Sequence, residues 1–137
     1  MARECIGILA GGGQLPFLVA DGARRQGQRV AAVGYSGNAD PALAGQVDAY
    51  CELKLGQLGK LISFFKAEGV TRVVLAGSID KPRALDIRPD MRAMKLIMRL
   101  ATRGDDSLLR AVAGELESEG MAVVSALALV PALAAPA

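Results

Sequence analysis

Three consecutive glycines interrupt an apolar run near the start of the chain, in the sequence Ile6-Gly7-Ile8-Leu9-Ala10-Gly11-Gly12-Gly13-Gln14-Leu15-Pro16. In α/β folds, a buried strand that ends in glycines and leads into a helix commonly binds a phosphate group. Residues without a Cβ atom let a ligand approach the backbone, and the free N–H groups of the following helix point toward the anion. The segment from Gly11 to Pro16 therefore predicts a turn that faces a phosphate or a nucleotide.

This turn departs from the dinucleotide-binding fingerprint in two ways. Pro16 stands where the fingerprint has glycine or alanine, and the second predicted strand runs into Gly34-Tyr35-Ser36 without the acid that normally binds ribose hydroxyls. We therefore expect a phosphate or sugar phosphate rather than NAD. A turn whose glycines serve only packing remains the alternative.

A second glycine-containing segment, Leu55-Gly56-Gln57-Leu58-Gly59-Lys60, has neither the spacing nor the Ser or Thr of a P-loop. Gln57, Gly59 and Lys60 nevertheless flank a predicted helix start, where an amide and an ammonium group can meet a phosphoryl group. An ordinary helix start with a solvated Lys60 is the alternative.

Two further segments carry charged residues beside predicted element ends. In Ala76-Gly77-Ser78-Ile79-Asp80-Lys81-Pro82-Arg83, the two cations can hold a phosphate, and a solvated loop is equally consistent. In Gly104-Asp105-Asp106-Ser107, paired aspartates can bind Mg²⁺. The favoured interpretation of Asp105 and Asp106 is that they cap the following helix and complement its dipole.

Methionines and cations recur at helical spacing on the predicted helix Asp90–Thr102. The apolar stripe is Met91, Met94 and Met98, and the basic residues beside it are Arg92, Lys95, Arg99 and Arg103. The favoured interpretation is that the methionines pack in the core and the cations face solvent. The alternative is a surface that meets acyl chains and anionic headgroups together.

The elements that position these residues alternate along the chain. The predicted strands are Cys5–Ala10, Arg29–Tyr35, Ala49–Leu53, Thr71–Ala76 and Met121–Ser125, and the other predicted helices are Pro16–Gln26, Gln57–Glu68 and Asp105–Glu119. Such alternation predicts an α/β fold, a three-layer Rossmann-like domain whose mostly parallel sheet has about five strands with the first one central. Ligands of such folds bind beyond the carboxyl ends of the strands, from which the glycine-containing segments emerge.

Composition limits the function classes. The chain has 137 residues, 52% of them apolar, and a net charge of +2, which predicts one packed domain and gives no reason to expect nucleic acid. Two cysteines and no histidine argue against a zinc site and a histidine-based triad, and both cysteines are expected in the core. We expect a cytoplasmic protein, because no signal peptide or membrane-spanning run is visible.

Taken together, the four motifs, from the glycine turn to Arg103-Gly104-Asp105-Asp106-Ser107-Leu108-Leu109-Arg110, resemble those of the LpxI-type UDP-2,3-diacylglucosamine pyrophosphatases of lipid A biosynthesis. The resemblance runs through almost the whole chain in the same order. It implies substrate binding by Gly11, Gly12, Gly13, Gln14, Pro16, Gln57, Gly59, Lys60, Gly77, Lys81, Pro82, Asp105 and Asp106. The catalytic residues stay unassigned.

The resemblance also implies a Mg²⁺-dependent hydrolase of Gram-negative bacteria that works at the inner membrane face and releases UMP and lipid X. Family members are about twice as long and carry the catalytic, metal-dependent aspartate in a C-terminal domain. We therefore expect residues 1–130 to form the N-terminal Rossmann-like domain and residues 131–137 to begin a linker. The expected partners are the substrate, the C-terminal domain and the membrane surface, and a homodimer stays open.

Two alternatives remain beside this interpretation. One is a non-catalytic nucleotide- or phosphate-binding module, and the other is a structural partner domain whose glycines serve only packing. For the isolated chain we expect substrate binding without turnover.

Overall fold

A computed structural model describes residues 4–35, 39–54, 57–77, 90–95, 98 and 108–124. Five parallel strands form one sheet, and they are β1 (Cys5–Ala10), β2 (Arg29–Tyr35), β3 (Ala49–Leu53), β4 (Val70–Ala76) and β5 (Ala122–Val124). Their order in the sheet is β3-β2-β1-β4-β5, so β1 is central. The predicted α/β class, the parallel pairing and the central first strand are confirmed.

Helices occupy the intervals between the strands. They are α1 (Leu15–Arg25), α2 (Leu58–Ala67) and α3 (Leu108–Ser118), with a 3-10 helix at Pro41–Gln46. Residues 91–95 and 98 are also helical, and we refer to residues 91–95 as helical segment 91–95. The described elements agree with the predicted ones to within three residues at each end. The rest of predicted helix Asp90–Thr102, residues 105–107 and the expected linker 131–137 lie outside the described residues.

The central strands β1 and β2 are buried on both faces because their side chains alternate between two core clusters. Ile6, Ile8 and Ala10 of β1 pack on the α1 side, whereas Cys5 and Leu9 pack on the side that α2 covers. Parallel sheets covered on both faces require such continuous apolar strands. All six residues of β1 are buried, which places the glycine turn at the end of a fixed central strand.

The buried face of α1 differs from the predicted one. Helical periodicity predicts that Leu15, Leu18, Val19 and Ala23 form the apolar face, but Leu18 is 45% exposed. The buried residues at positions i, i+3, i+4 and i+7 are Pro16, Val19, Ala20 and Ala23. Because Pro16 packs inward, the apolar stripe is rotated and Leu18 turns toward solvent. For α2, periodicity predicts a buried face of Leu58, Leu61, Ile62 and Phe65, and all four are buried.

The favoured interpretation of the methionine stripe is wrong. Met91, Met94 and Met98 are 75%, 42% and 64% exposed, whereas the small Ala93 is buried. Arg92, expected in solvent, is ion-paired with Glu115 and Glu119 at the carboxyl-terminal end of α3. These two ion pairs and Ala93 define the inner side of the segment, so its methionines face outward. Of the two cysteines, Cys5 is buried as expected, but Cys51 on the edge strand is only half-buried.

Candidate functional site

The sheet changes direction of winding between β1 and β4. The chain passes from β1 through α1 to β2 on one face, whereas α2 and α3 belong to the other face. In folds of this kind a crevice opens outside the carboxyl ends of the two strands at such a switch point. The glycine turn follows β1 and Gly77 follows β4, so both lie at this position.

Gly77 crosses the first half of the glycine turn at very short range. The N–H group of Gly11 donates to the carbonyl of Ala76 at 2.8 Å. Gly77 has φ +95°, and a Cβ atom added there would lie 2.6 Å from the carbonyl oxygen of Gly12 and 2.8 Å from the carbonyl carbon of Gly11. The residues after β1 and β4 can therefore approach only because Gly77 has no side chain. Since the N–H of Gly11 is already used, this residue contributes packing.

The second half of the turn is open to solvent. Gly13 and Gln14 are exposed, and a Cβ atom at Gly13 would meet nothing within 4 Å. Gln14 precedes α1 without a side-chain cap, and its carbonyl accepts from the N–H groups of Phe17 and Leu18 at 3.0 and 3.1 Å. Among the described residues, no acceptor faces the N–H groups of Gln14 or Leu15. Free amides at the positive end of a helix dipole are groups that can receive an anion.

Pro16 packs beneath the exposed residues Gly13 and Gln14, on the buried side of the first turn of α1. It is buried within the first turn of α1, and no acid occupies that turn. Proline lacks an N–H and its φ is already helical, so it fits the first turn of a helix without loss of a hydrogen bond. The residue predicted from the sequence thus supports the amides rather than facing solvent.

At the start of α2, two of the predicted groups already have partners within the chain. The Gln57 side-chain oxygen accepts from the N–H of Lys54 at 2.8 Å. The N–H of Gly59 donates to a carboxylate oxygen of Asp90 at 2.6 Å. Lys60 is exposed. The N–H of Gly59, which the sequence predicts to meet a phosphoryl group, is therefore already bound to the carboxylate of Asp90.

Asp90 is a residue that the sequence analysis did not select. One carboxylate oxygen accepts from Gly59, and the other accepts from the N–H of Ala93 at 2.9 Å, which caps helical segment 91–95. An aspartate before a helix indicates the cap. Nothing in the local sequence indicates the second bond, which joins residues 31 positions apart. Among the described residues, no hydrogen bond joins this pair to the glycine turn.

Two tyrosines lie near the end of β2, where the acid of a dinucleotide site would stand. The hydroxyl of Tyr50 is buried against Gly34, and it has no hydrogen-bond partner in the described part of the chain. Burial raises the pKa of Tyr35 and of Tyr50 above the usual value of a phenol. Both phenols therefore stay protonated near neutral pH, and neither is a base.

A polar depression of about 390 Å³ lies elsewhere, between the end of α1 and the 3-10 helix. Its lining residues are Asp21, Arg24, Arg25, Gln46 and Asp48. The charges there serve local contacts, because Arg25 pairs with Asp21 at 2.8 Å and Asp48 accepts from the N–H of Val30. This depression lies near the amino ends of β2 and β3, whereas the glycine turn follows the carboxyl end of β1.

The remaining predicted site residues, Lys81, Pro82, Asp105 and Asp106, lie outside the described residues. Within the described ranges, no three His, Cys, Asp or Glu side chains come together as a metal-binding group. No helix in the same ranges has the length and apolar character needed to cross a membrane.

Comparison with known protein families gives one match over nearly the whole chain. The model of the LpxI N-terminal domain matches residues 5–133. A curated relative, the UDP-2,3-diacylglucosamine pyrophosphatase LpxI of Caulobacter vibrioides, is 35% identical over 126 residues. That match covers 88% of this chain and 44% of the relative, so the chain spans less than half of the relative's length.

Two solved structures share the fold at low sequence identity. A multifunctional pyruvate carboxylase from Rhizobium etli has a TM-score of 0.57 and 11% identity, over 90% of this chain and 11% of that one. The Bordetella bronchiseptica enzyme WbmG, solved with NAD and UDP, has a TM-score of 0.54 and 17% identity, over 88% of this chain and 36% of that one. These likenesses are to the doubly wound architecture alone.

Proposed function

Because the chain belongs to the LpxI N-terminal domain family, we propose that it is the substrate-binding N-terminal part of a UDP-2,3-diacylglucosamine pyrophosphatase. Such an enzyme hydrolyses the pyrophosphate of its substrate to UMP and lipid X in lipid A biosynthesis. The named activity of the Caulobacter vibrioides relative supports this proposal, although that relative is more than twice as long as the matched region.

The observation that carries the proposal is that the amino-terminal end of α1 is open to solvent. It follows β1, the fully buried central strand. Gln14 and Leu15 present their N–H groups beside the exposed Gly13, at the switch point of the sheet. Hydrolysis of a pyrophosphate requires donors that neutralise negative charge on the phosphoryl oxygens. The amides of Gln14 and Leu15 are held by the turn that follows a buried strand, so they supply such donors with little reorganisation.

In this proposal the predicted residues have different roles. Gly13, Gln14 and Leu15 hold a phosphoryl group, while Gly11, Gly12 and Gly77 allow the close packing that shapes the turn, and Pro16 supports it. The side-chain N–H₂ of Gln57 and the ammonium of Lys60 extend the same donor set from α2. Lys81, Pro82, Asp105 and Asp106 remain predicted substrate contacts from the family resemblance.

We assign catalysis to the part of the family's enzymes that lies outside the region matched by this chain. The segment from Gly11 to Pro16 has no titratable side chain, which supports binding rather than proton transfer by this turn. The family's Mg²⁺ would neutralise phosphoryl charge. The described residues do not offer it a ligand set, so we assign its ligands to the second domain. We also propose that the enzyme acts in the cytoplasm of a Gram-negative bacterium, at the inner membrane face.

Calorimetric titration of the chain with UMP, lipid X and NAD tests the proposal. The variant Gln14→Glu keeps the shape of the side chain and places a negative charge at the open amides. That charge complements the helix dipole, so the fold should be as stable as before or slightly more stable. We expect UMP or lipid X to bind in preference to NAD, and Gln14→Glu to weaken binding about tenfold, as like charge at a phosphate site does.

Gln46→Glu is the matched control, because it makes the same charge change just before β3, near the amino ends of the strands and away from the glycine turn. It should leave the affinities unchanged. A preference for NAD would favour a dinucleotide-binding module and contradict the proposal. Release of UMP from the substrate by the isolated chain with Mg²⁺ would contradict the assignment of catalysis to the second domain.

A further inference from the structure

The methionines near helical segment 91–95 form an exposed apolar stripe. Met91, Met94 and Met98 stand at positions i, i+3 and i+7, which places them on one side of a helix. Their exposed fractions are 75%, 42% and 64%. Single exposed apolar side chains are ordinary, but an aligned group of them marks an interaction surface.

The outward orientation of this stripe is fixed by contacts on the other side of the segment. Ala93 is buried in the core that contains Leu116 of α3. The guanidinium of Arg92 donates to Glu115 at 3.0 Å and to Glu119 at 2.7 Å. A rotation that buried the methionines would break both ion pairs and expose Ala93, so the stripe stays on the surface.

The stripe begins beside Gly59 and Lys60, two of the residues predicted to bind the substrate. Asp90, which precedes Met91, accepts from the N–H of Gly59 in the first turn of α2 at 2.6 Å. Lys60 follows Gly59 and Lys95 follows Met94, and both of these cations are exposed. The apolar side chains are therefore flanked by positive charge that suits an anionic headgroup.

We propose that Met91 and Met94 bind the acyl chains of the diacylated substrate, with the exposed cations Lys60 and Lys95 facing its anionic part. This inference rests on the proposed function. Methionine suits such a ligand because its flexible, polarisable side chain adapts to an alkyl chain without a fixed shape. Within the described part of the chain the stripe comprises three side chains, whereas a stable protein interface takes roughly 20–30 residues a side, so an alkyl chain is the better match to what is seen.

The test compares two ligands that share a headgroup. Lipid X carries two acyl chains, and glucosamine 1-phosphate is its fully deacylated counterpart. Replacing Met91 and Met94 together by glutamine should lower the affinity for lipid X about tenfold, from the lost burial of apolar surface. The affinity for glucosamine 1-phosphate should not change, because the headgroup contacts are untouched.

Leu18→Gln is the matched control, because Leu18 is 45% exposed on α1 and belongs to the opposite face of the sheet. It should leave both affinities unchanged. Equal affinity of the methionine variant and the parent for lipid X, with the headgroup still bound, would overturn this inference and spare the proposed function. Failure of the parent chain to bind any of these phosphates would overturn both.

Two other occupants give different results in the same experiment. If the methionine variant loses binding to phosphatidylcholine vesicles that contain no substrate, the stripe meets a bilayer surface and the inference is wrong. A change of oligomeric state in the variant, seen by sedimentation, would identify a second copy of the chain and would also overturn it.

Discussion

The crossing of Gly77 over the glycine turn predicts a large effect of one added methyl group. In Gly77→Ala the new Cβ atom would lie 2.6 Å from the carbonyl oxygen of Gly12 and 2.8 Å from the carbonyl carbon of Gly11. Both neighbours are backbone atoms at the end of the buried β1, so they cannot move away without displacing the turn.

Two costs add in this variant. A non-glycine residue at φ +95° costs about 1–3 kcal/mol in backbone strain, and forced overpacking costs about 1–3 kcal/mol more. Gly120→Ala isolates the first cost, because Gly120 has φ +91° but nothing within 4 Å of its added Cβ. The difference between the two variants therefore measures the contact alone, about 1–3 kcal/mol.

Urea unfolding followed by circular dichroism gives both free energies of unfolding. We expect Gly77→Ala to be less stable than Gly120→Ala by the amount of the contact, with similar denaturant slopes. Equal losses in the two variants would refute the reasoning, since the residues after β1 and β4 would then not meet at Gly77.

Two further predictions concern Asp90 and Glu119. Asp90→Ala should lower the free energy of unfolding by about 1–3 kcal/mol, because a helix cap is lost and the N–H of Gly59 loses its partner. An unchanged midpoint of urea unfolding would contradict these two roles of Asp90. Arg92 and then Lys66 lower the pKa of Glu119 from 4.5 to about 2, so its ion pairs stabilise the fold above pH 4.5 and are lost as the pH falls toward 2. Glu119→Gln should therefore be less stable than the parent at neutral pH, and the difference should vanish near pH 2; a constant difference would contradict this assignment.

Most of the architecture could be predicted from the sequence, because the local signals and the global fold agree. Cys5–Ala10 and Arg29–Tyr35 are apolar runs between turn residues, and both are strands with the predicted bounds. Glycine ends the predicted helices, and Gly27 and Gly69 indeed have positive φ values after α1 and α2. Alternation of strands and helices then leaves few topologies.

The orientation of the methionine stripe could not be predicted in the same way. Periodicity shows that Met91, Met94 and Met98 share a side, but it does not say which side faces the core. That choice depends on Arg92 and its acidic partners, which lie 23 and 27 positions later in the chain. Periodicity alone therefore predicts burial for an apolar stripe that the structure exposes.

At the candidate site, the position of the glycine turn could be predicted from the sequence. The different role of each glycine within the turn could not. A glycine can serve conformation, packing or ligand access, and only its spatial neighbours decide which. Gly77 contacts Gly11 and Gly12 because β4 pairs with β1 in the sheet, whereas Gly13 has open space around it. The bond between Asp90 and Gly59 is equally non-local.

The central claim is that the open amides before α1 bind a phosphoryl group. Titration of the ¹⁵N-labelled chain with UMP or lipid X tests it most directly, because NMR reports each N–H group separately. We predict saturable shifts of the Gln14 and Leu15 amide resonances, while the Gly120 amide at the far end of α3 stays unchanged. Saturable binding that leaves the Gln14 and Leu15 amides unmoved would contradict the claim.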